Sequence, residues 1–257
     1  MANTVVVTGA GSGIGRAIAA ILADRGWRVV VTDIDDAAAH DVAAGLSAAP
    51  EIRHESAVLD VTSPSQAAAV ADDVADRLGL HAWISNAGIS FMHRFLDASI
   101  ERYDATMSVN LKGVFVCGQA AARAMVRTGV AGAIVNTASM AGKQGRVPYL
   151  SDYVASKFGV VGLTQAMAFE LGEHGITVNC VCPGYVATPM QTRELEWEAQ
   201  LRGTTVDAVR TMMIDDTPLR RLEQPQDVAV AVAFLLSSDA RFITGEALAI
   251  NGGAYMD

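Results

Sequence analysis

"NTVVVTGAGSGIGRAIA", residues 3–19, joins a run of valines to an alanine-rich amphipathic stretch through a cluster of glycines, and that join decides the fold. The valine run reads as a buried strand and the alanine-rich stretch as a helix. Thr8, Gly9, Ser12, Gly13, Ile14 and Gly15 form the turn between them. Glycines there let the backbone bend sharply and approach a ligand, and the unpaired amides opening the helix offer a resting place for a pyrophosphate. The spacing departs from the usual G-x-G-x-x-G, because position 14 is Ile and the last glycine falls one residue later. Taken alone, the turn therefore fits either a dinucleotide site or a purely structural bend.

The same alternation continues along the chain. Short apolar runs at 3–9, 28–33, 55–61, 81–85, 132–138, 176–181 and 246–250 are separated by alanine-rich stretches, as expected of parallel strands joined by crossover helices. The expected fold class is α/β: one doubly wound, Rossmann-type parallel sheet of about seven strands with helices on both faces. With 257 residues and no break in composition, the chain reads as a single unit over 1–257. Helices rich in small residues are expected from about 105 to 127 and from about 152 to 173. The stretch 184–224, with Pro189, Gly203 and Pro218, reads as an irregular connection of the kind that forms lids over binding sites.

The net charge of −9 and the absence of a Lys/Arg run argue against nucleic acid or an anionic membrane as partner, leaving a small-molecule substrate. Cys117, Cys180 and Cys182 sit in apolar segments and read as core thiols in a reducing compartment. With no targeting segment or membrane-spanning run, the expected location is cytoplasmic. His40, His54, His81, His93 and His174 show no ligand spacing, so no metal is expected. No G-x-S-x-G elbow is present, which removes the ordinary hydrolase chemistry.

Asp33 closes the second strand eighteen residues after Gly15. A carboxylate at that place can accept hydrogen bonds from the ribose hydroxyls of an adenosine and repels a 2′-phosphate. The competing reading is a helix N-cap, since Asp35 and Asp36 follow. Ser12 and Ile34 put no cation where a 2′-phosphate would lie, and Arg16 is expected to point away. NAD is accordingly favoured over NADP. Asp60, with Val61 after it, either meets the adenine edge or caps the helix opening at Pro64.

"YLSDYVASK", 149–157, sets Tyr149 and Tyr153 four apart and Lys157 four further on, so that on a helix they share a face. In order along the chain stand "TGAGSGIG" at 8–15, "NAG" at 86–88, Asn110 in "SVNLKGVF", Ser139 in "NTASMAG", "YVASK" at 153–157 and "PG" at 183–184. Together they resemble the short-chain dehydrogenase/reductase family, in its common form of about 250 residues, from Thr4 to the C-terminal "INGGAYMD".

The resemblance implies that Tyr153 moves the proton, that Lys157 stabilises its phenolate and holds the nicotinamide ribose, and that Ser139 orients the substrate oxygen. Asn110 is implied to anchor a water leading from Lys157. Asn86, Ala87 and Gly88 are implied to pass the cofactor ribose, and Pro183, Gly184, Val186 and Thr188 to meet the nicotinamide end. Tyr149 falls outside the motif, either a loop aromatic or a wall of the substrate pocket. His93 edges the pocket or, more in keeping with its type, sits on the surface. The expected activity is an NAD(H)-dependent alcohol dehydrogenase or ketone reductase. The alternatives are a dinucleotide-sensing regulator on the same scaffold and a cofactor-retaining sugar epimerase. Gln144, Arg146, Tyr149, Met190, Gln191 and Arg193 suggest a small hydrophilic substrate such as a polyol or hydroxy ketone. The two long small-residue helices, by the same resemblance, imply a homotetramer.

Overall fold

Val5 and Val7 face one apolar cluster and Val6 the opposite one, and Val29 and Val31 alternate with Val30 in the same way. This period-two division, on strands buried on both sides, is the signature of a sheet sandwiched between helical layers. The computed structural model describes residues 2–256; Met1 and Asp257, the ends of the expected 1–257 unit, lie outside the described residues. The strands are β1 (Thr4–Thr8), β2 (Arg28–Asp33), β3 (Glu55–Val58), β4 (Ala82–Ser85), β5 (Ala133–Thr137), β6 (Thr177–Pro183) and β7 (Ala247–Ile250). All pair in parallel, in the order β3-β2-β1-β4-β5-β6-β7. The chain runs outward from β1 to β3, then returns beside β1 and proceeds the other way. The fold is the doubly wound α/β fold, and its switch point between β1 and β4 opens a crevice at the carboxyl ends of the strands.

The helices are α1 (Gly13–Asp24), α2 (Asp36–Ala44), α3 (Pro64–Leu78), α4 (Ile100–Met107), α5 (Gly113–Thr128), α6 (Ser151–Leu171), α7 (Pro189–Arg202), α8 (Val206–Asp216) and α9 (Pro225–Leu235). Helices α1, α2 and α9 cover one face, against Val5, Val7, Val29 and Val31. Helices α3 and α5 cover the other, against Val6, Trp83 and Ile134, with the end of α6 joining them through Ala168. Cys117, Cys180 and Cys182 are buried free thiols. Among the described residues no helix is long and apolar enough to cross a membrane.

Three expectations change. The helix expected over 105–127 is a longer run, α4 and α5 joined by a single π turn at Ser108–Lys112 that carries Asn110. Tyr149 does not share a helix face with Tyr153, because α6 opens at Ser151 and Tyr149 lies before it with φ +66°. The stretch 184–224 is not irregular: it holds α7 and α8, which bury Leu195, Ala199, Val209 and Met213 in a small core of their own.

Candidate active site

The crevice is built first from backbone. Gly9 and Gly13 turn with φ of +61° and +54°, conformations that only glycine adopts without strain. Gly15 is needed for a different reason. A β-carbon there would lie 2.4 Å from the Gly9 carbonyl oxygen and 2.6 Å from Asn86 Nδ2. The turn is stapled to the end of β4 by side chains. The Thr8 hydroxyl accepts from the amides of Asn86 (2.9 Å) and Ala87 (3.1 Å), and Asn86 Nδ2 donates to the Thr8 and Gly9 carbonyls at 3.0 and 3.1 Å. A wall of bare, close-set backbone results, which suits a dinucleotide pyrophosphate.

Asp33 stands at one end of this wall. The Gly11 amide donates to its Oδ2 at 2.9 Å and the Asp35 amide to its Oδ1 at 3.1 Å. The N-cap of α2 is Asp35, whose carboxylate accepts from the Ala38 amide, so Asp33 is left facing the cleft. Ile34 beside it is 71% exposed. Asp60 likewise lines the cleft and does not cap α3. Its Oδ1 accepts from the amide and hydroxyl of Thr62, and the cap is Ser63.

The opposite end holds the reactive side chains. Ser139 lies just beyond β5 and caps a short 3-10 turn at Met140–Gly142, its hydroxyl accepting from the Ala141 amide at 3.1 Å. Tyr153 and Lys157 lie one turn apart on α6. Lys157 is buried and donates from Nζ to the Thr137 carbonyl at 2.8 Å, 5.4 Å from the centre of the Tyr153 ring. Burial pushes its ammonium down to about 8. Burial also pushes the Tyr153 phenol well above its ordinary range, and the Glu194 carboxylate adds to the rise, while a hydrogen bond to Ser139 opposes it. The net direction is upward.

Asn110 stands behind the wall, wholly buried. Its Oδ1 accepts from the Ile89 amide at 2.8 Å and its Nδ2 donates to the Ile89 carbonyl at 2.9 Å and the Ser156 hydroxyl at 3.2 Å. The π turn aims it at this loop. A β-carbon on Gly88 would sit 3.3 Å from Asn110 Oδ1 and 3.8 Å from Lys157 Nζ, so the three residues meet at one point.

The cleft has a volume of about 930 Å³. Every residue expected to hold a dinucleotide lines it except Gly15, and Ser139, Tyr153 and Lys157 line it too. Thr188 also caps α7, accepting from the Gln191 amide at 3.2 Å, and its methyl faces Gly13. Of the residues expected around the substrate, Met190 and Gln191 line the cleft, whereas Gln144, Arg146, Tyr149 and Arg193 do not. Tyr149 is instead stacked under two guanidiniums, Arg202 at 5.6 Å and Arg94 at 5.9 Å. His93 is buried, not on the surface, with Nε2 3.6 Å from Asp152 Oδ1, because its loop is held to the start of α6 by its amide bonding the Tyr149 carbonyl.

The sequence reading passed over Gly11, which fixes Asp33, and Glu194, Glu198 and Arg202 of α7, which line the substrate end. A signal for the helix existed: Gln191, Leu195, Glu198 and Ala199 are buried at helical spacing.

Comparison with known proteins agrees with this architecture. A family model described as "Enoyl-(Acyl carrier protein) reductase" matches residues 9–255. The chain is 40% identical to a (3R)-3-hydroxyacyl-CoA dehydrogenase of Mus musculus over 98% of its own length and 95% of the relative's. It is 39% identical to a 2,5-dichloro-2,5-cyclohexadiene-1,4-diol dehydrogenase of Sphingobium indicum, covering 98% and 96% of the two chains. Among solved structures it resembles a short-chain type dehydrogenase/reductase from Mycobacterium marinum, with TM-score 0.88, 33% identity, and coverage of 98% and 95%. A glycine-walled crevice, Ser139, and Tyr153 four residues before Lys157, matched nearly end to end by such relatives, establish that the chain belongs to the short-chain dehydrogenase/reductase family.

Proposed function

We propose that the protein is an NAD(H)-dependent oxidoreductase that interconverts a secondary alcohol, of the polyol or hydroxy-ketone class, and its ketone. The observation that carries this reading is the convergence of Ser139 and Lys157 on Tyr153 at the inner end of a cleft that could hold a dinucleotide. When bound, the nicotinamide supplies or takes up the hydride at the substrate carbon.

The chain's own residues handle the oxygen and its proton. Ser139 donates to the substrate oxygen and holds it beside the Tyr153 hydroxyl, so that the proton passes over a single hydrogen bond. A phenol kept protonated is poised to donate to a ketone oxygen, and in the oxidative direction it must first lose its proton. Lys157 favours that loss by placing positive charge under the ring. Asn110 fixes the Ile89 loop and thereby the wall opposite Lys157. Asp33, held by two amides, accepts from the adenosine ribose and repels a 2′-phosphate, which favours NAD(H). Helices α7 and α8 over the substrate end are read as the lid.

The test is the near-ultraviolet absorbance of the reduced nicotinamide, with both cofactors and a panel of secondary alcohols, polyols and ketones. Turnover preferring NAD(H) supports the proposal. Cofactor binding with no turnover on any substrate would overturn it in favour of a dinucleotide sensor. We also propose a homotetramer, supported by Phe115 of α5 and Phe158 and Phe169 of α6 standing exposed on the two long helices. Light scattering giving a monomer mass at micromolar concentration would refute it.

A further inference from the structure

We infer that Glu194 is a specificity-determining residue, accepting a hydrogen bond from a second hydroxyl on the carbon next to the reacting one and turning away substrates that carry a carboxylate there. The inference rests on the redox reading above and adds to it the group that chooses the substrate.

Glu194 projects from α7 into the same cleft as Tyr153 and Ser139. Its charge is felt at the Tyr153 phenol, which places the carboxyl within electrostatic reach of the reacting oxygen. The other acid on this face of the helix is already occupied: Glu198 accepts from Arg202 Nε at 2.6 Å. Glu194 has milder company, the buried Ser90 hydroxyl, which lies near enough to lower its carboxyl but has no hydrogen-bond partner among the described residues, and Arg193, which is exposed and does not line the cleft. A half-buried carboxyl in that position gains from a ligand donor. Burial raises the Glu194 carboxyl above the usual carboxylate range, as expected of a carboxylate short of donors. The cleft also carries apolar Met92, Leu150, Met190, Met212 and Met213, and of its other charged side chains on α7 Glu198 and Arg202 are taken up by each other. An anionic group beside the reacting carbon would face Glu194 in a poorly solvated space and be repelled.

The test compares 3-hydroxybutan-2-one, butan-2-one and 3-oxobutanoate as substrates with NADH, for the wild type, Glu194→Gln and Glu194→Leu. The readout is the ratio of kcat/KM between substrates, which a general loss of folded protein does not move. In the wild type the hydroxy ketone is favoured over butan-2-one by roughly tenfold or more, the discrimination of one hydrogen bond to a charged carboxylate. In Glu194→Leu the ratio falls to about one and 3-oxobutanoate gains. Glu194→Gln, which keeps an acceptor, retains part of the preference for the hydroxyl. A second arm titrates butane-2,3-diol and butan-2-ol into the NAD complex of Tyr153→Phe by calorimetry, and the diol preference should disappear on adding Glu194→Leu. Ketones reduced with a ratio that Glu194→Leu leaves unchanged would overturn the role of Glu194 and leave the redox reading intact. Absent turnover, with diol binding still lost in Glu194→Leu, would overturn the redox reading and uphold Glu194. Diol and mono-alcohol bound alike would overturn the assignment.

Discussion

Lys157 lies over the ring of Tyr153: Nζ is 5.4 Å from the ring centre and is held there by the Thr137 carbonyl at 2.8 Å. Burial and Glu194 raise the phenol further than Ser139 lowers it.

Tyr153→Phe should abolish turnover, by at least about a thousandfold, while leaving cofactor affinity nearly unchanged, because only the proton carrier is removed. In the wild type the direction of the Tyr153 shift fixes the pH dependence. Oxidation needs the phenolate and should gain with rising pH across the neutral range, whereas reduction needs the phenol and should not. Tyr149→Phe should cost far less, since Tyr149 meets Arg94 and Arg202 and not the cleft. Initial rates in both directions, with cofactor binding measured separately, check all of this. Near-normal turnover by the Tyr153→Phe variant would sink the assignment.

The cofactor prediction concerns Asp33→Ala. Loss of a carboxylate held by the Gly11 and Asp35 amides should raise the KM for NAD(H) roughly tenfold or more and narrow the gap to NADP(H). Adding Ile34→Arg should narrow it again, since Ile34 is exposed at the mouth. The check is kcat/KM with each cofactor. A wild-type enzyme already as efficient with NADP(H) would show that Asp33 does not read the ribose.

Gly15→Ala tests the wall itself. The added methyl would fall 2.4 Å from the Gly9 carbonyl oxygen and 2.8 Å from Ala10 Cα, both backbone atoms that cannot step aside. The turn should open, lowering the melting temperature by several degrees and weakening dinucleotide binding by more than about tenfold. Calorimetric titration with NAD and a thermal melt decide it, and an unchanged affinity would refute the close approach.

Much of this was legible before the structure. The central strands, buried on both faces, read as β-branched runs such as "TVVVT" and "RVVVTD", while the edge strands "ESAV" and "ALAI" were legible as short apolar runs between helical stretches. Asp33, Ser139, Tyr153 and Lys157 sit at strand ends or in a helix, where their place in sequence fixes their place in the cleft. The π turn at Asn110 was not legible, because one extra residue in a helical turn leaves no mark on an apolar pattern. Gly203 and Pro218 broke the 184–224 stretch into pieces that read as loop, and the charged outer faces of α7 and α8 hid their buried spacing. His93 was misplaced because side-chain type speaks for the surface, while its loop is turned inward by the backbone bond to Tyr149.

Glu223 should make stability fall as pH rises. It is buried beneath the connection from β6 to α7, where its Oε2 accepts from the Gly184 amide at 2.7 Å and its Oε1 has no partner among the described residues. Burial pushes its carboxyl up to about 8 from an ordinary 4.5, with the Gly184 bond pulling the other way. As pH rises past 4.5 the unfolded chain gives up this proton first, while the folded chain keeps it until about 8. Over that window the unfolded state binds fewer protons, so folding loses free energy as pH increases, by at most about 5 kcal/mol. Glu223→Gln keeps an acceptor for Gly184 and removes the titration. The variant and the wild type should therefore melt at similar temperatures near the low end of the window, and the variant should melt several degrees higher above its upper end. Thermal melts of both proteins across this range provide the measurement. A wild type no less stable than Glu223→Gln on the alkaline side would show that the carboxyl ionises there without cost.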